Sequence, residues 1–187
     1  CPTQMRLEKL NWKEIVNLTS SCAAMKKWSQ VEAGARQLLE MDSKNPWGHY
    51  FLSFVSVSQR NYTLAHWNLD NAIELAPKNA LLKYQKGLVY WEESKEALAI
   101  KWIELAAKDD KSLAEAHLFL GQLYLRDYDY KLASQHFREV VRTRPSNKEA
   151  WNGLEICKKN GVSVEEQGKS ESPRELAKAS SESRGEK

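Results

Sequence analysis

Apolar residues recur from residue 12 to residue 159 at the three- and four-residue spacing of amphipathic helices, and short polar stretches interrupt them regularly. Pro46, Pro77 and Pro145 stand in those stretches, where a helix begins or ends. The pattern predicts helices at 12–24, 29–41 with Ser29 as N-cap, 47–59, 62–75, 80–92, 95–107, 113–126, 130–143 and 148–159. Because the links are short, we expect consecutive helices to pack antiparallel.

The stretch 114–147 combines small and large residues in a specific order. Gly121 and Ala133 fall where the two helices of this stretch must cross, and larger side chains there would push the helices apart. The large residues around them fill the volume beside the crossing, and the closing proline cannot continue a helix. The full set is His117, Leu120, Gly121, Tyr124, Ala133, Phe137 and Pro145.

The same arrangement returns at a 34-residue spacing. The stretch 80–113 carries Lys83, Lys86, Gly87, Tyr90, Ala99, Ile103 and Ala106, with Lys111 in place of the closing proline. The stretch 46–79 carries His49, Leu52, Ser53, Ala65, Leu69, Ala72 and Pro77. The stretch 12–45 fits more loosely, with Ile15, Leu18, Thr19, Val31, Ala35, Leu38 and Ser43. Beyond residue 147 only Trp151 and Leu154 continue the pattern.

On these residues the chain resembles the tetratricopeptide repeat family, with His49 and His117 standing where tryptophan is usual. The resemblance implies an all-α fold, a right-handed α-solenoid of stacked antiparallel helix pairs. We expect one solenoid domain at 1–161. It would contain a degenerate repeat at 12–45, repeats at 46–79, 80–113 and 114–147, and a capping helix at 148–160.

Composition narrows the class of partner. The net charge is only +3 and the lysines and arginines are spread along the chain, so we expect no nucleic-acid partner. No apolar run approaches the roughly 18 residues that suggest a membrane span. Beyond Glu165 the chain is rich in Ser, Glu and Lys, and its one large apolar residue is Leu176. We therefore expect 162–187 to be a disordered tail, with a short docking segment as the alternative.

The three cysteines do not form a disulfide framework by their number and spacing. Cys22 and Cys157 fall within predicted helices and are interpreted as small buried apolar residues. Cys1 supports the hypothesis of a bacterial lipoprotein, whose mature amino terminus carries acyl chains that anchor it to the envelope on the periplasmic side. The alternative is an arbitrary boundary in a cytoplasmic protein.

No set of residues predicts catalysis. The histidines at 49, 66, 117 and 136 form no His-x3-His pair, and the cysteines form no Cys-x2-Cys pair of the kind that metals favour. The chain has no glycine-rich phosphate loop and no nucleophile elbow. His49 and His117 occupy the tryptophan position of their repeats, which predicts packing between helices. We expect no enzyme activity, no cofactor and no metal.

In the family that the chain resembles, the first helix of each repeat lines a concave groove through positions 2, 5, 9 and 12. Carried over to this chain, these positions are Trp47, Tyr50, Phe54 and Val57, then Leu81, Tyr84, Leu88 and Trp91, then Glu115, Leu118, Gln122 and Leu125. Exposing a large apolar side chain is unfavourable by about 1.5–3 kcal/mol, and exposed rings usually mark contacts with a partner. The resemblance therefore implies a partner-binding groove. The alternative is that the N-terminal helix of the array covers part of it.

Family members that hold the acidic carboxyl termini of chaperones carry Lys at position 5 and Asn at position 9. This chain instead has Tyr50 and Phe54, Tyr84 and Leu88, and Leu118 and Gln122. We therefore expect a protein or peptide partner that presents apolar or aromatic side chains, as an amphipathic segment does. The predicted function is a non-catalytic adaptor, scaffold or assembly factor. It would act in cell-envelope complexes if Cys1 carries a lipid, and otherwise as a cytoplasmic adaptor without the two-carboxylate clamp.

Overall fold

The computed structural model describes residues 10–162, and over that range the chain is all α-helical. The helices are α1 (Trp12–Ala24), α2 (Trp28–Met41), α3 (Pro46–Ser58), α4 (Tyr62–Leu75), α5 (Ala80–Glu92), α6 (Glu96–Asp109), α7 (Ala114–Arg126), α8 (Tyr130–Thr143) and α9 (Lys148–Lys159). They pack as the antiparallel pairs α1–α2, α3–α4, α5–α6 and α7–α8, and α9 packs on α8. The fold class predicted from the sequence is confirmed. The predicted lipid on Cys1 and the predicted tail beyond Val162 lie outside the described residues.

Helical spacing predicted the bounds of α1, α4, α5, α8 and α9 correctly. The prediction was wrong at α2, which begins at Trp28, so Ser29 lies inside the helix and is not its N-cap. The Ser29 hydroxyl is 3.1 Å from Oε1 of Gln30 instead of capping a backbone N–H. Helix α6 was also placed too early, because it runs from Glu96 to Asp109. Helices α3 and α7 differ from the prediction by one residue.

Asparagine caps the amino terminus of most helices that come first in their pair, and of α9. Asn11, Asn45, Asn79 and Asn147 each accept a hydrogen bond from a backbone N–H in the first turn of α1, α3, α5 and α9. Such caps satisfy N–H groups that have no partner within the helix. Leu113 stands at the equivalent place before α7 and provides no side-chain cap.

Each first helix ends in the same backbone turn. Lys26, Arg60, Ser94 and Tyr128 adopt left-handed conformations, with φ of 54°, 56°, 59° and 62°. In each turn the next residue donates its N–H to a carbonyl five residues back, for example Asn61 to Ser56 at 2.9 Å. This is the Schellman end of a helix. Because the four residues stand 34 apart, the backbone itself confirms the repeat register.

Small residues permit the close crossings of paired helices. A Cβ placed on Gly87 would lie 2.4 Å from Cγ1 of Ile103, and one on Gly121 would lie 2.8 Å from Cδ1 of Phe137. The first repeat uses the opposite arrangement. There the small residue is Gly34 on the second helix, and a Cβ on it would lie 2.1 Å from Oγ1 of Thr19.

Packing divides the described chain into two compact bodies, an N-terminal body (residues 10–109) and a C-terminal body (residues 110–162). The core of the N-terminal body contains Ile15, Val31, Ala35, Leu38, Phe51, Val55, Ala65, Leu69 and Val89. The core of the C-terminal body contains Ala114, Ala133, Phe137, Val140, Val141, Ala150 and Leu154.

Both described cysteines are buried, as predicted. Cys157 is a free thiol, whereas Cys22 is disulfide-bonded, which the sequence interpretation did not anticipate. Within residues 10–162, no helix has the combined length and apolar character that a bilayer crossing requires.

Candidate functional site

The predicted groove residues on α3 form a cluster of aromatic rings. Tyr50 lies at its centre, with its ring centroid 5.3 Å from that of Trp47 and 5.0 Å from that of Phe54, both edge to face. The three residues are at i, i+3 and i+7, so their side chains line one face of the helix. Edge-to-face pairs at such distances contribute about 0.5–1.5 kcal/mol each beyond their buried area. The cluster is therefore a preformed surface.

The N-terminal body partly covers this aromatic cluster. Trp47, Tyr50 and Phe54 are partly buried and pack against the core formed by α1, α2 and α3. Burial, with a smaller effect of nearby Tyr84, raises the pKa of Tyr50 to about 12. The phenolate would lose its hydration there. The N-terminal body thus covers part of the predicted groove at α3, while Trp47, Tyr50 and Phe54 each stay partly accessible.

Helix α5 continues this surface within the N-terminal body. Its predicted residues Leu81, Tyr84, Leu88 and Trp91 are each partly buried. Tyr84 is close enough to Tyr50 to affect its pKa, which places the two tyrosine rings in one neighbourhood. We refer to the predicted residues of α3 and α5 together as the α3–α5 face.

The predicted residues of α7 lie in the C-terminal body and form a more polar surface. Leu118 and Leu125 are partly buried against the core of that body, whereas Gln122 is exposed. Glu115 is paired with Arg144 at 2.5 Å. Helix α7 thus offers two leucines beside polar groups and has no aromatic ring at the predicted positions.

The most exposed large apolar side chains of the second helices were not predicted. Trp67 on α4 is 56% exposed, Met41 at the end of α2 is 49% exposed, and Leu64 on α4 and Leu98 on α6 are each 42% exposed. The apolar residues predicted for the groove are all partly buried instead. The signal was present in the sequence, because α4 carries apolar residues on more sides than one buried stripe requires.

The predicted packing role of His49 and His117 is confirmed. Nδ1 of His49 lies 3.3 Å from Oδ1 of Asn68, which joins α3 to α4. Nδ1 of His117 lies 3.0 Å from Nδ1 of His136, which joins α7 to α8. Within residues 10–162, no group of three or more His, Cys, Asp or Glu side chains could hold a metal ion.

The two lysines at apolar positions of the third repeat form ion pairs. Nζ of Lys83 pairs with the Asp109 carboxylate, and Nζ of Lys86 pairs with the Asp70 carboxylate. Lys86 is buried and its Nζ lies 4.3 Å from the ring centroid of Trp102, a cation–π geometry. These contacts connect α5 to α6 and to α4, so the lysines serve the packing of the N-terminal body.

Curated proteins similar to this chain include two from animals. Tetratricopeptide repeat protein 37 of Xenopus laevis is 35% identical over 82 residues, which are 41% of this chain and 5% of that protein. Stress-induced-phosphoprotein 1 of Caenorhabditis elegans is 32% identical over 97 residues, which are 48% of this chain and 30% of that protein. The chain spans less than a third of the length of either relative. No family model matches it.

Solved structures show the same fold at lower identity. The Thermus thermophilus protein TTC0263, described as a thermophilic TPR protein, superposes with a TM-score of 0.67 at 17% identity, covering 81% of this chain and 84% of that chain. The first TPR of Spaghetti (RPAP3), bound to the HSP90 peptide SRMEEVD, superposes with a TM-score of 0.55 at 21% identity, covering 65% and 99%. Given its recurring helix pairs, helix ends and crossings, the chain has the fold of tetratricopeptide repeat proteins and resembles them in sequence.

Proposed function

We propose that the chain is a non-catalytic interaction module whose α3–α5 face binds an apolar segment of another protein. The observation that carries the proposal is the group of partly exposed rings centred on Tyr50. Ordered rings of this kind lose little conformational entropy on binding, because packing already restrains them. Tyrosine and tryptophan are also the side chains most often found at the energetic centre of an interface.

The relatives support the general part of this proposal. One solved neighbour holds a peptide, SRMEEVD, and has the same fold as most of this chain. Since the fold alone is shared, the choice of ligand must come from the residues of this chain.

Those residues favour an apolar ligand. At the positions where family members that bind acidic tails carry Lys and Asn, the α3–α5 face has rings and leucine, so a ligand carboxylate would lose hydration without gaining a cation. Apolar or aromatic side chains on one side of a helix or an extended segment would bury the exposed part of the rings. Action as an adaptor or as an assembly factor is compatible with this chemistry. Attachment to the envelope through Cys1 stays a prediction, and it requires the Cys1 sulfur to carry a lipid instead of pairing with Cys22. The sequence encoded upstream of Cys1 would test it.

The α3–α5 face can be tested before its natural partner is identified. Peptides selected from a random library on the intact chain would be labelled, and their dissociation constants measured by fluorescence polarisation. We expect the double substitution Tyr84→Ala and Trp91→Ala to weaken binding at least about tenfold, since each truncated hot-spot residue typically contributes more than 1 kcal/mol. The matched control is Trp67→Ala, which removes an indole from α4 outside this face.

Far-UV circular dichroism would first establish that both variants keep their helix content. Peptides that bind the double variant as tightly as the unmodified chain would contradict the proposal. Peptides that lose affinity only with Trp67→Ala would place the contact surface on α4 instead.

A further inference from the structure

Two histidines face each other inside the C-terminal body. Nδ1 of His117 on α7 lies 3.0 Å from Nδ1 of His136 on α8. His117 is buried, and the ring of Tyr124 is stacked on His136 with centroids 5.6 Å apart and planes inclined by 11°. The contact joins α7 to α8.

This geometry requires one of the facing nitrogens to donate and the other to accept. Nε2 of His117 is buried and has no hydrogen-bond partner. A neutral His117 that donates from Nδ1 leaves Nε2 as a bare acceptor, which is less unfavourable than an unpaired N–H. Protonating His117 would place an N–H at that position, and protonating both rings would set two N–H groups and two positive charges against each other.

The charges nearby do not reverse this preference. Glu139 and Asp110 favour a protonated His117 and Arg142 opposes it, but burial is the largest effect and lowers the pKa of His117. Burial and then the neighbouring His117 lower the pKa of His136 to about 4, despite Glu139. An unfolded histidine binds its proton near pH 6.5. Stability from the neutral pair is therefore present above about pH 6.5 and is lost as the pH falls toward 4.

The N-terminal body contains a histidine contact of the opposite kind. Nε2 of His66 lies 2.6 Å from Oε2 of Glu93, so a protonated His66 would face a carboxylate. Burial raises the pKa of Glu93, but hydrogen bonds from Lys95 and His66 outweigh burial, and the pKa lies below its ordinary value. The carboxylate thus stays charged near pH 5. Nδ1 of His66 is also buried without a hydrogen-bond partner, but its Nε2 faces a carboxylate and not a second ring nitrogen.

From these contacts we infer that the α7–α8 pair is an acid-sensitive element: mild acid loosens α7 and α8 through His117 and His136, while α3 to α6 keep their structure. The different response of the two bodies follows from pairing histidine with histidine in one and histidine with carboxylate in the other. It does not depend on which ligand the α3–α5 face binds.

Hydrogen–deuterium exchange of the full chain, read by mass spectrometry and corrected for the intrinsic pH dependence of exchange, tests this inference. Between pH 7 and pH 5 we expect protection of peptides from α7 and α8 to fall on the order of tenfold. This is the loss of stability expected for one histidine whose pKa is about 4 in the folded chain and about 6.5 in the unfolded chain. Peptides from α3 to α6 should change much less. An equal loss of protection throughout, or none in α7 and α8, would overturn the inference.

The matched variant is His136→Asn, because the asparagine Oδ1 can accept the hydrogen bond of His117 and does not titrate. It should remove most of the pH dependence in α7 and α8, whereas His66→Asn should leave that dependence unchanged. Full pH dependence in His136→Asn would also overturn the inference. If this variant does not fold, proton NMR titration of the unmodified chain decides, because the His117 and His136 ring protons must then titrate below the ordinary histidine range.

Discussion

At the scale of the residue, the tightest constraint is the space around the Phe137 ring. A Cβ on Gly121 would lie 2.8 Å from this ring, and a Cβ on Gly153 would lie 2.4 Å from it. The ring is fully buried between α7 and α9, so it cannot move away from one glycine without approaching the other. Both glycines are therefore required for packing, although glycine within a helix is otherwise unfavourable.

We expect Gly121→Ala to lower the free energy of unfolding by up to about 2 kcal/mol, because overpacking costs about 1–3 kcal/mol and the gain in helix propensity offsets about 1 kcal/mol of it. Urea denaturation followed by circular dichroism measures this. The neighbouring control Gln122→Ala, at an exposed position, should stay within about 0.5 kcal/mol. In a Phe137→Leu background the effect of Gly121→Ala should shrink. A stabilised Gly121→Ala variant would show that the ring has room to shift.

At the scale of the element, the helix ends repeat more strictly than the core does. The cap before each first helix is asparagine at four of five equivalent places, and Leu113 is the exception. Each turn after the first four of these helices contains a left-handed residue, although none of the four is glycine. Local hydrogen bonding therefore determines where these helices start and stop, largely apart from what packs against them.

The capping argument predicts that asparagine is more stable than alanine at two equivalent positions, 79 and 113. Asn79→Ala should lower the free energy of unfolding by about 1 kcal/mol, because the N–H of Leu81 loses its acceptor. At position 113, the Leu113→Asn variant should be more stable than the Leu113→Ala variant by about 1 kcal/mol. Both variants lose the partly buried leucine, and only asparagine can cap α7. Chemical denaturation of Asn79→Ala, Leu113→Asn and Leu113→Ala provides the comparison. Equal stability of the two variants at 113 would contradict the argument.

Because helix ends depend on local hydrogen bonds, the sequence could predict the bounds of some helices. The starts of α4 and α8 were predicted from helical spacing and coincide with local caps, since Asn61 and Asp129 accept hydrogen bonds from N–H groups of the first turn. The start of α2 was wrong because Ser29 is a common capping residue, and only the backbone shows that α2 begins one residue earlier, after Lys27.

At the scale of the whole molecule, contacts between distant residues could not be predicted. Helical spacing shows that a residue lies on a given face, but it does not show which side chain that face meets. The Lys86–Asp70 pair, the His117–His136 contact and the exposure of Trp67 all depend on such neighbours. For the same reason the sequence could not predict how much of each ring of the α3–α5 face the N-terminal body covers.

The fold that the chain shares with tetratricopeptide repeat proteins does not imply that it shares the ligand of one of them. The peptide SRMEEVD, seen bound to a solved neighbour, is rich in carboxylates. Its carboxylates would meet rings and leucine at the α3–α5 face, and burying them without a cation is unfavourable. We therefore expect this chain to bind SRMEEVD more weakly than about 1 mM in a fluorescence polarisation titration.

The neighbour's own domain, under the same conditions, is the positive control for the labelled peptide. The double substitution Tyr84→Lys and Leu88→Asn gives α5 of this chain the Lys and Asn that are typical of acidic-tail binding, and should strengthen the interaction if these residues are what the face lacks. Micromolar binding by the unmodified chain would show that other cations recognise the carboxylates. The apolar specificity proposed for the α3–α5 face would then be wrong, whereas the assignment of the fold would stand.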